Sequence, residues 1–320
     1  MTDIIGLVLP FFGLILIGYV VAKLKHQPAE ALGWLNVFII YVALPALFFK
    51  LVSRTPLEEL ARIDFIAAAL IATYAIFVLV FVIGRYLRGS TLQESTVQAL
   101  AGAYGNIGYM GPGLALLAFG EAAAVPVALI FCFENAVHFM VAPAMMALGG
   151  SDRRPKGQLA LDIARRIAFH PFIVATALGI LAAALSVVPP VPVQRLIDYL
   201  AQAAAPCALF AMGVTLALRP LKRVPVELGY IVPIKLLLHP LLVYLVLSLV
   251  GDFDPLWVYT AVLLASLPTA TNVFVIGQQY GVWQERASAT ILITTVMSVL
   301  TVSGLLYLIT TGILPADLFP

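Results

Sequence analysis

Charge is what this chain is short of. Of its 320 residues only 11% are Asp, Glu, Lys or Arg, against about 25% in soluble domains. With 62% hydrophobic residues, no polar coat remains for a water-facing body of this size. A soluble enzyme, a disordered chain, a fibre and a nucleic-acid binder are excluded, which leaves a polytopic membrane protein. The apolar runs are continuous rather than alternating, which argues against a β-barrel. Cysteine is scarce too. Cys132 and Cys207 lie in apolar runs, too few for a disulfide framework or a thiolate metal site, and neither metal nor cofactor is expected. The opening Met1-Thr2-Asp3 lacks the basic start of a signal peptide, so the first apolar run is expected to be a retained span.

A bilayer core takes about 20 apolar residues per helix. On that ruler ten spans are expected, at 4–22, 34–52, 64–84, 95–118, 122–147, 168–187, 196–217, 226–250, 257–279 and 288–312. The longest polar connection runs from Gly149 to Arg166. Alternate loops differ in cations. The odd loops hold Lys23, Lys25, Arg85, Arg88, Arg153, Arg154, Lys156, Arg165, Arg166, Arg219, Lys222, Arg223 and Arg286, whereas the even loops hold Arg54, Arg62 and Arg195. Basic loops face the cytoplasm, so both termini are expected on the non-cytoplasmic side of the cell's inner (plasma) membrane.

A shift of 161 residues superposes landmarks of the two halves: Pro10 on Pro171, Gly18 on Gly179, Pro28 on Pro189, Pro45 on Pro206 and Gly120 on Gly281. Two repeats follow, 1–160 and 161–320. Each has five spans, an odd number, so the second is inverted relative to the first. Inverted repeats are a transporter signature because they provide two nearly equivalent, oppositely facing states.

Span 4 contains Gly105-Asn106-Ile107-Gly108-Tyr109-Met110-Gly111-Pro112-Gly113, which will not hold a continuous helix. The corresponding stretch of span 9 is Pro268-Thr269-Ala270-Thr271-Asn272-Val273. Two interrupted spans in matching positions point to a transport site, where half-helix ends hold ions and Asn side chains both donate and accept. The plainer alternative is a pair of kinked helices packed through small residues. The candidate substrate residues are Asn106, Gly111, Pro112, Pro268, Thr269, Thr271 and Asn272.

Ionisable groups inside a membrane are functional candidates by default. Glu134 lies near the middle of span 5, with Asn135 beside it and His138 one turn on. Lys235 lies in span 8, with His239 on the same face. Glu134 and Lys235 are expected to interact, either as a static pair or as one that exchanges a proton. His138 and His239 are hydrogen-bonded core residues or relays. Lys50, near the outer end of span 2, reads as a snorkelling anchor.

Leu44-Pro45-Ala46-Leu47-Phe48 resembles the auxin efflux carrier family. So do Asn106…Gly111-Pro112 followed by Phe119-Gly120-Glu121, and Leu267-Pro268 followed by Asn272 and Tyr280-Gly281. The family includes plant auxin exporters and bacterial permeases for small carboxylates. The resemblance implies ten helices in two inverted five-helix repeats, with broken helices 4 and 9 crossing, as in the sodium/proton antiporter and bile-acid symporter folds. It also implies a scaffold of helices 1, 2, 6 and 7, a mobile transport domain of helices 3–5 and 8–10, and a homodimer. The plant carriers have a second crossover proline where this chain has Val273, and a long cytoplasmic loop where this chain has a short one. Both departures point to a compact prokaryotic relative and away from auxin.

The expectation is a secondary transporter of small organic anions such as malate, malonate or auxin-like weak acids, working by elevator-type alternating access with H+ or Na+ as coupling ion. A cation-coupled carrier of another substrate is the alternative. An intramembrane enzyme fits less well, because Cys132, Asn135 and His138 are poorly spaced for a nucleophile–base pair. A tag at either terminus is expected to be reachable from outside intact cells, and one inserted between Arg153 and Lys156 is not. A cytoplasmic terminus in that labelling assay would overturn the five-plus-five topology.

Overall fold

The computed structural model describes residues 2–26, 28–150, 155–218 and 224–318. Arg153, Arg154, Arg219, Lys222 and Arg223, counted above as loop cations, lie outside the described residues. Among the described residues all regular elements are helical: α1 (Thr2–Lys25), α2 (Gly33–Phe38), α3 (Leu44–Val52), α4 (Leu57–Leu60), α5 (Ile63–Val82), α6 (Leu92–Ala103), α7 (Gly111–Phe119), α8 (Ala124–Leu148), α9 (Lys156–Ala168), α10 (Pro171–Ala184), α11 (Val191–Leu218), α12 (Leu228–Pro233), α13 (His239–Val250), α14 (Pro255–Ser266), α15 (Thr271–Tyr280) and α16 (Gln284–Thr310).

Among the described residues six continuous apolar segments are long enough to cross a bilayer: Gly33–Val52, Ile63–Leu87, Glu121–Leu148, Val191–Leu218, Leu228–Val250 and Gln284–Thr310. Two shorter apolar helices, α10 and α14, accompany them. Expected spans 4 and 9 are each divided, into α6 and α7 and into α14 and α15. The connection expected to be merely polar contains a 13-residue helix, α9.

Two of the long segments widen into π turns just before a proline. The Leu44 N–H bonds Ile39 O ahead of Pro45, and the His239 N–H bonds Ile234 O ahead of Pro240. A proline ring clashes with the carbonyl four residues back and supplies no N–H. One extra residue in the preceding turn relieves both problems without ending the helix.

The chain divides into two compact units. One comprises Met1–Ile63, Tyr109–Cys132 and Ala168–Pro220; the other comprises Asp64–Gly108, Phe133–Ile167 and Leu221–Pro320. In the first unit α1 runs along α11, and α3 packs on α10 and α11. Glycines set the approach. A Cβ on Gly213 would fall on the Ile15 carbonyl and within 2.9 Å of Tyr19 N, and one on Gly18 would fall on the Phe210 carbonyl. Lipid tails are as apolar as leucine, so close backbone packing replaces hydrophobic exclusion as the force between such helices. Phe131 stacks on Phe48 at 4.7 Å and meets Phe172 edge-on at 4.9 Å. Lys50 is not a free anchor: its Nζ lies 2.8 Å from Asp198, with Arg54 at 3.9 Å.

In the second unit α6 packs against α12, α15 and α16 around Val97, Leu100, Tyr104, Val273 and Ile276. Thr91 and Glu94 form a capping box that starts α6. Arg286 ties α16 to Glu227 at 2.8 Å and approaches Glu94 at 3.9 Å.

The α1–α11 contact makes a direct prediction. Gly213→Ala should destabilise the detergent-solubilised protein by about 1–3 kcal/mol, the usual cost of overpacking. Gly304→Ala, at an exposed position of α16 with nothing within 4 Å of the added methyl, should leave the melting temperature unchanged. Equal melting curves for the two variants would show that α1 and α11 do not depend on that approach.

Candidate transport site

The two interruptions meet in the second unit. α6 stops at Ala103 because Tyr104 turns extended, at φ −79° and ψ 98°. α14 stops at Ser266 because Leu267 precedes a proline and is extended, at φ −64° and ψ 150°, as the residue before proline is biased to be. The freed backbones then pair: the Asn106 N–H donates to Pro268 O at 2.8 Å, and the Ala270 N–H donates to Tyr104 O at 2.9 Å. A Cβ on Gly105 would stand 3.2 Å from Leu264 O and 3.3 Å from Lys235 Nζ, so a small residue suits the approach.

The carboxyl ends of both half-helices are occupied. The Thr269 hydroxyl donates to Ala101 O at 2.7 Å at the end of α6, and its N–H donates to the Thr294 hydroxyl of α16 at 3.2 Å. The Lys235 ammonium donates to Ala265 O at 2.7 Å at the end of α14, where the helix dipole favours a cation. α15 then opens at Thr271 and Asn272, whose amides lie in the first turn, where a helix has no acceptor of its own. Asn272 donates from Nδ2 to the Tyr104 hydroxyl at 2.6 Å, and that hydroxyl donates to Asn135 Oδ1.

Glu134 and Lys235 make no direct ion pair. They are joined through two residues. Lys235 Nζ lies 3.0 Å from His239 Nδ1, His239 Nε2 lies 3.1 Å from the Thr73 hydroxyl, and that hydroxyl donates to Glu134 Oε1 at 2.8 Å. Donor polarity follows from the ends. An ammonium only donates, and the single Thr73 hydrogen goes to the carboxylate, so His239 accepts at Nδ1 and donates from Nε2. All four side chains are buried. The second histidine, His138, bonds the Tyr74 hydroxyl through Nδ1 at 2.8 Å and stacks on Tyr104 at 4.1 Å, while its Nε2 is buried without a hydrogen-bond partner among the described residues.

Of the expected site residues, Asn106, Pro268, Thr269, Thr271 and Asn272 are brought together, and Glu134, His138, Lys235 and His239 belong to the same unit. Gly111 and Pro112 open α7 in the first unit. Their neighbour Gly113 is a packing residue there: a Cβ would meet Ala205 at 2.7 Å and Phe11 at 2.9 Å. Thr73, Tyr74 and Tyr104 were missed in the sequence. Thr73-Tyr74 is a polar pair in an otherwise apolar run through α5, a signal that was available.

A family described as "Membrane transport protein" matches residues 3–306. A protein of Rhizobium meliloti (strain 1021), named "Putative malonate transporter", is 73% identical over 320 residues, all of both chains. An "Uncharacterized transporter" of Methanothermobacter thermautotrophicus is 25% identical over 91% of this chain and 93% of its own. The "Uncharacterized transporter YfdV" of Escherichia coli (strain K12) is 24% identical over 94% of this chain and 96% of its own. Family and relatives alike are transporters rather than enzymes. The chain is thus a multi-pass member of the membrane transport protein family, the family of the auxin efflux carriers that its motifs resemble.

Proposed function

We propose that this protein is a secondary transporter of small dicarboxylates of malonate size, working by elevator-type alternating access in the cell's inner membrane as a homodimer. The observation that carries this reading is the mutual tie between the two helix breaks, with Asn272 at the opening turn of α15 and Lys235 at the carboxyl end of α14. An anion suits the first position and a cation the second. The name borne by the 73% identical relative supports malonate as the first substrate to try. Ten helices in inverted repeats are supported by reciprocal packing: α1 with α11 and α10 with α3 are the contacts a pseudo-two-fold would exchange. The division into two units, with the joined breaks and the buried ionisable groups in one of them, supports a transport body distinct from a scaffold.

Proton coupling is favoured over sodium, because the Lys235 ammonium already occupies the carbonyl end of α14 where a metal cation would be drawn. One concerted shift along the buried chain moves a proton from Lys235 to His239 Nδ1, from His239 Nε2 to Thr73, and from Thr73 to Glu134. The result is a neutral amine and a neutral acid without contact between them. On this reading, substrate charge tips the balance between the charged and the neutral form.

In reconstituted vesicles, labelled malonate should accumulate against its gradient when a pH gradient is imposed, and should exchange by counterflow. Asn272→Ala should weaken malonate affinity by roughly 5- to 150-fold, the loss of one desolvated hydrogen bond worth about 1–3 kcal/mol, with Asn106→Ala following it. Unchanged affinity in both variants would move the substrate away from the breaks.

Thr73→Val keeps shape but removes the hydroxyl link. It should abolish pH-driven accumulation while sparing counterflow, and Thr73→Ser should retain both. Accumulation by the valine variant at the wild-type rate would eliminate the Thr73 path.

A further inference from the structure

We infer that a cleft at the end of α3 binds the phosphate of an anionic membrane lipid, with Arg54 as its principal ligand. α3 ends at Val52, α10 ends at Ala184 and α11 begins at Val191. Residues at and just beyond these ends enclose a cleft of about 70 Å³ within the first unit. At about 10–15 Å³ per water, that is room for roughly five waters, and so for a phosphate group. Gly33–Val52 is long enough to cross a bilayer, which puts Arg54, just past its end, at headgroup depth.

The charges that line the cleft do not cancel. Lys50 Nζ and Arg54 Nη2 face the same oxygen of Asp198, at 2.8 and 3.9 Å. Lys50 takes the carboxylate, and the Arg54 guanidinium stands beyond hydrogen-bond distance. Among the described residues no hydrogen bond engages that guanidinium. The neighbouring polar groups are spent on backbone: the Ser53 hydroxyl donates to Lys50 O at 3.2 Å, and Gln194 Nε2 donates to Pro189 O at 2.6 Å. One surplus positive charge is left, on the side chain whose planar fork of N–H donors matches a phosphate.

The wall of the cleft selects a lipid over a free anion. Val187 and Val188 line it and are 53% and 76% exposed. At headgroup depth such side chains meet the glycerol and upper acyl chain of a lipid, whereas a small soluble oxyanion gains nothing from them. Charge then selects among lipids. A zwitterionic headgroup carries its own ammonium and leaves the surplus in place; an anionic one such as phosphatidylglycerol cancels it. The site does not depend on the substrate or coupling proposed above.

The test uses the full-length protein, stripped of lipid in a neutral detergent. Native mass spectrometry follows titration with phosphatidylglycerol, with phosphatidylcholine of the same chains, and with inorganic phosphate as competitor. Phosphatidylglycerol should bind saturably, about tenfold or more tighter than phosphatidylcholine, and Arg54→Gln should weaken it by a similar factor, as loss of charge-assisted hydrogen bonds does. Arg195→Gln, a cation of α11 that does not line the cleft, should change nothing. Val188→Asp adds a carboxylate to the exposed wall and should expel the lipid too, so the outcome does not rest on one variant; melting curves check that both fold. Equal affinity for the two lipids would overturn the proposal. Displacement of phosphatidylglycerol by inorganic phosphate at equal concentration would mean a site for a free oxyanion and would overturn the lipid assignment. Wild-type affinity in either folded variant, or no saturable binding to the wild type, would remove the site altogether.

Discussion

Backbone groups in hydrocarbon have no water to turn to, and each one left unpaired costs several kcal/mol. The arrangement of the second unit follows from that constraint. Two helices stop in the middle of apolar segments, at Ala103 and Ser266, and neither stop would be tolerable alone. Together they satisfy each other through the Asn106–Pro268 and Tyr104–Ala270 backbone bonds. The Thr269 hydroxyl and the Lys235 ammonium take up carbonyls at the two helix ends. Each break is thus a condition for the other.

The buried charges obey the same rule. Lys235 and Glu134 stand apart, and the polar atoms of His239 and Thr73 fill the space between them. A direct ion pair would lock both groups in the charged state. The donors of this chain all point one way, from Lys235 to Glu134, and the coupling proposed above uses that direction to cancel charge by moving protons rather than side chains. His138 and Tyr104 stack beside this chain, so the groups around Asn272 and the ionisable groups share one wall of aromatic and imidazole rings.

The first unit solves a different problem by different means. It contains neither the joined breaks nor the buried acid, and its helices are held by close approach. Gly18 and Gly213 let α1 and α11 meet backbone to backbone, Gly113 lets α7 fit against Phe11 and Ala205, and stacked Phe48, Phe131 and Phe172 fill the remaining space. These contacts carry no charge, and the Lys50–Asp198 ion pair adds to them between α3 and α11, whereas the second unit is joined by buried hydrogen bonds.

The sequence by itself determined the membrane class, the positions of both breaks and the identity of the buried acid and base. Those properties belong to single residues or short runs: glycine and proline act on the local backbone, and an apolar run or an intramembrane charge carries its transfer cost wherever it sits. Partners were another matter. Lys50 looked like a lipid anchor until Asp198, far along the chain, was found beside it. Gly113 read as part of a break and is a packing glycine. Glu134 and Lys235 read as neighbours, yet Thr73 and His239 stand between them. Only the tertiary structure decided these, because a hydrogen bond depends on ångström distances between elements remote in sequence, and residue spacing along a chain does not encode such distances.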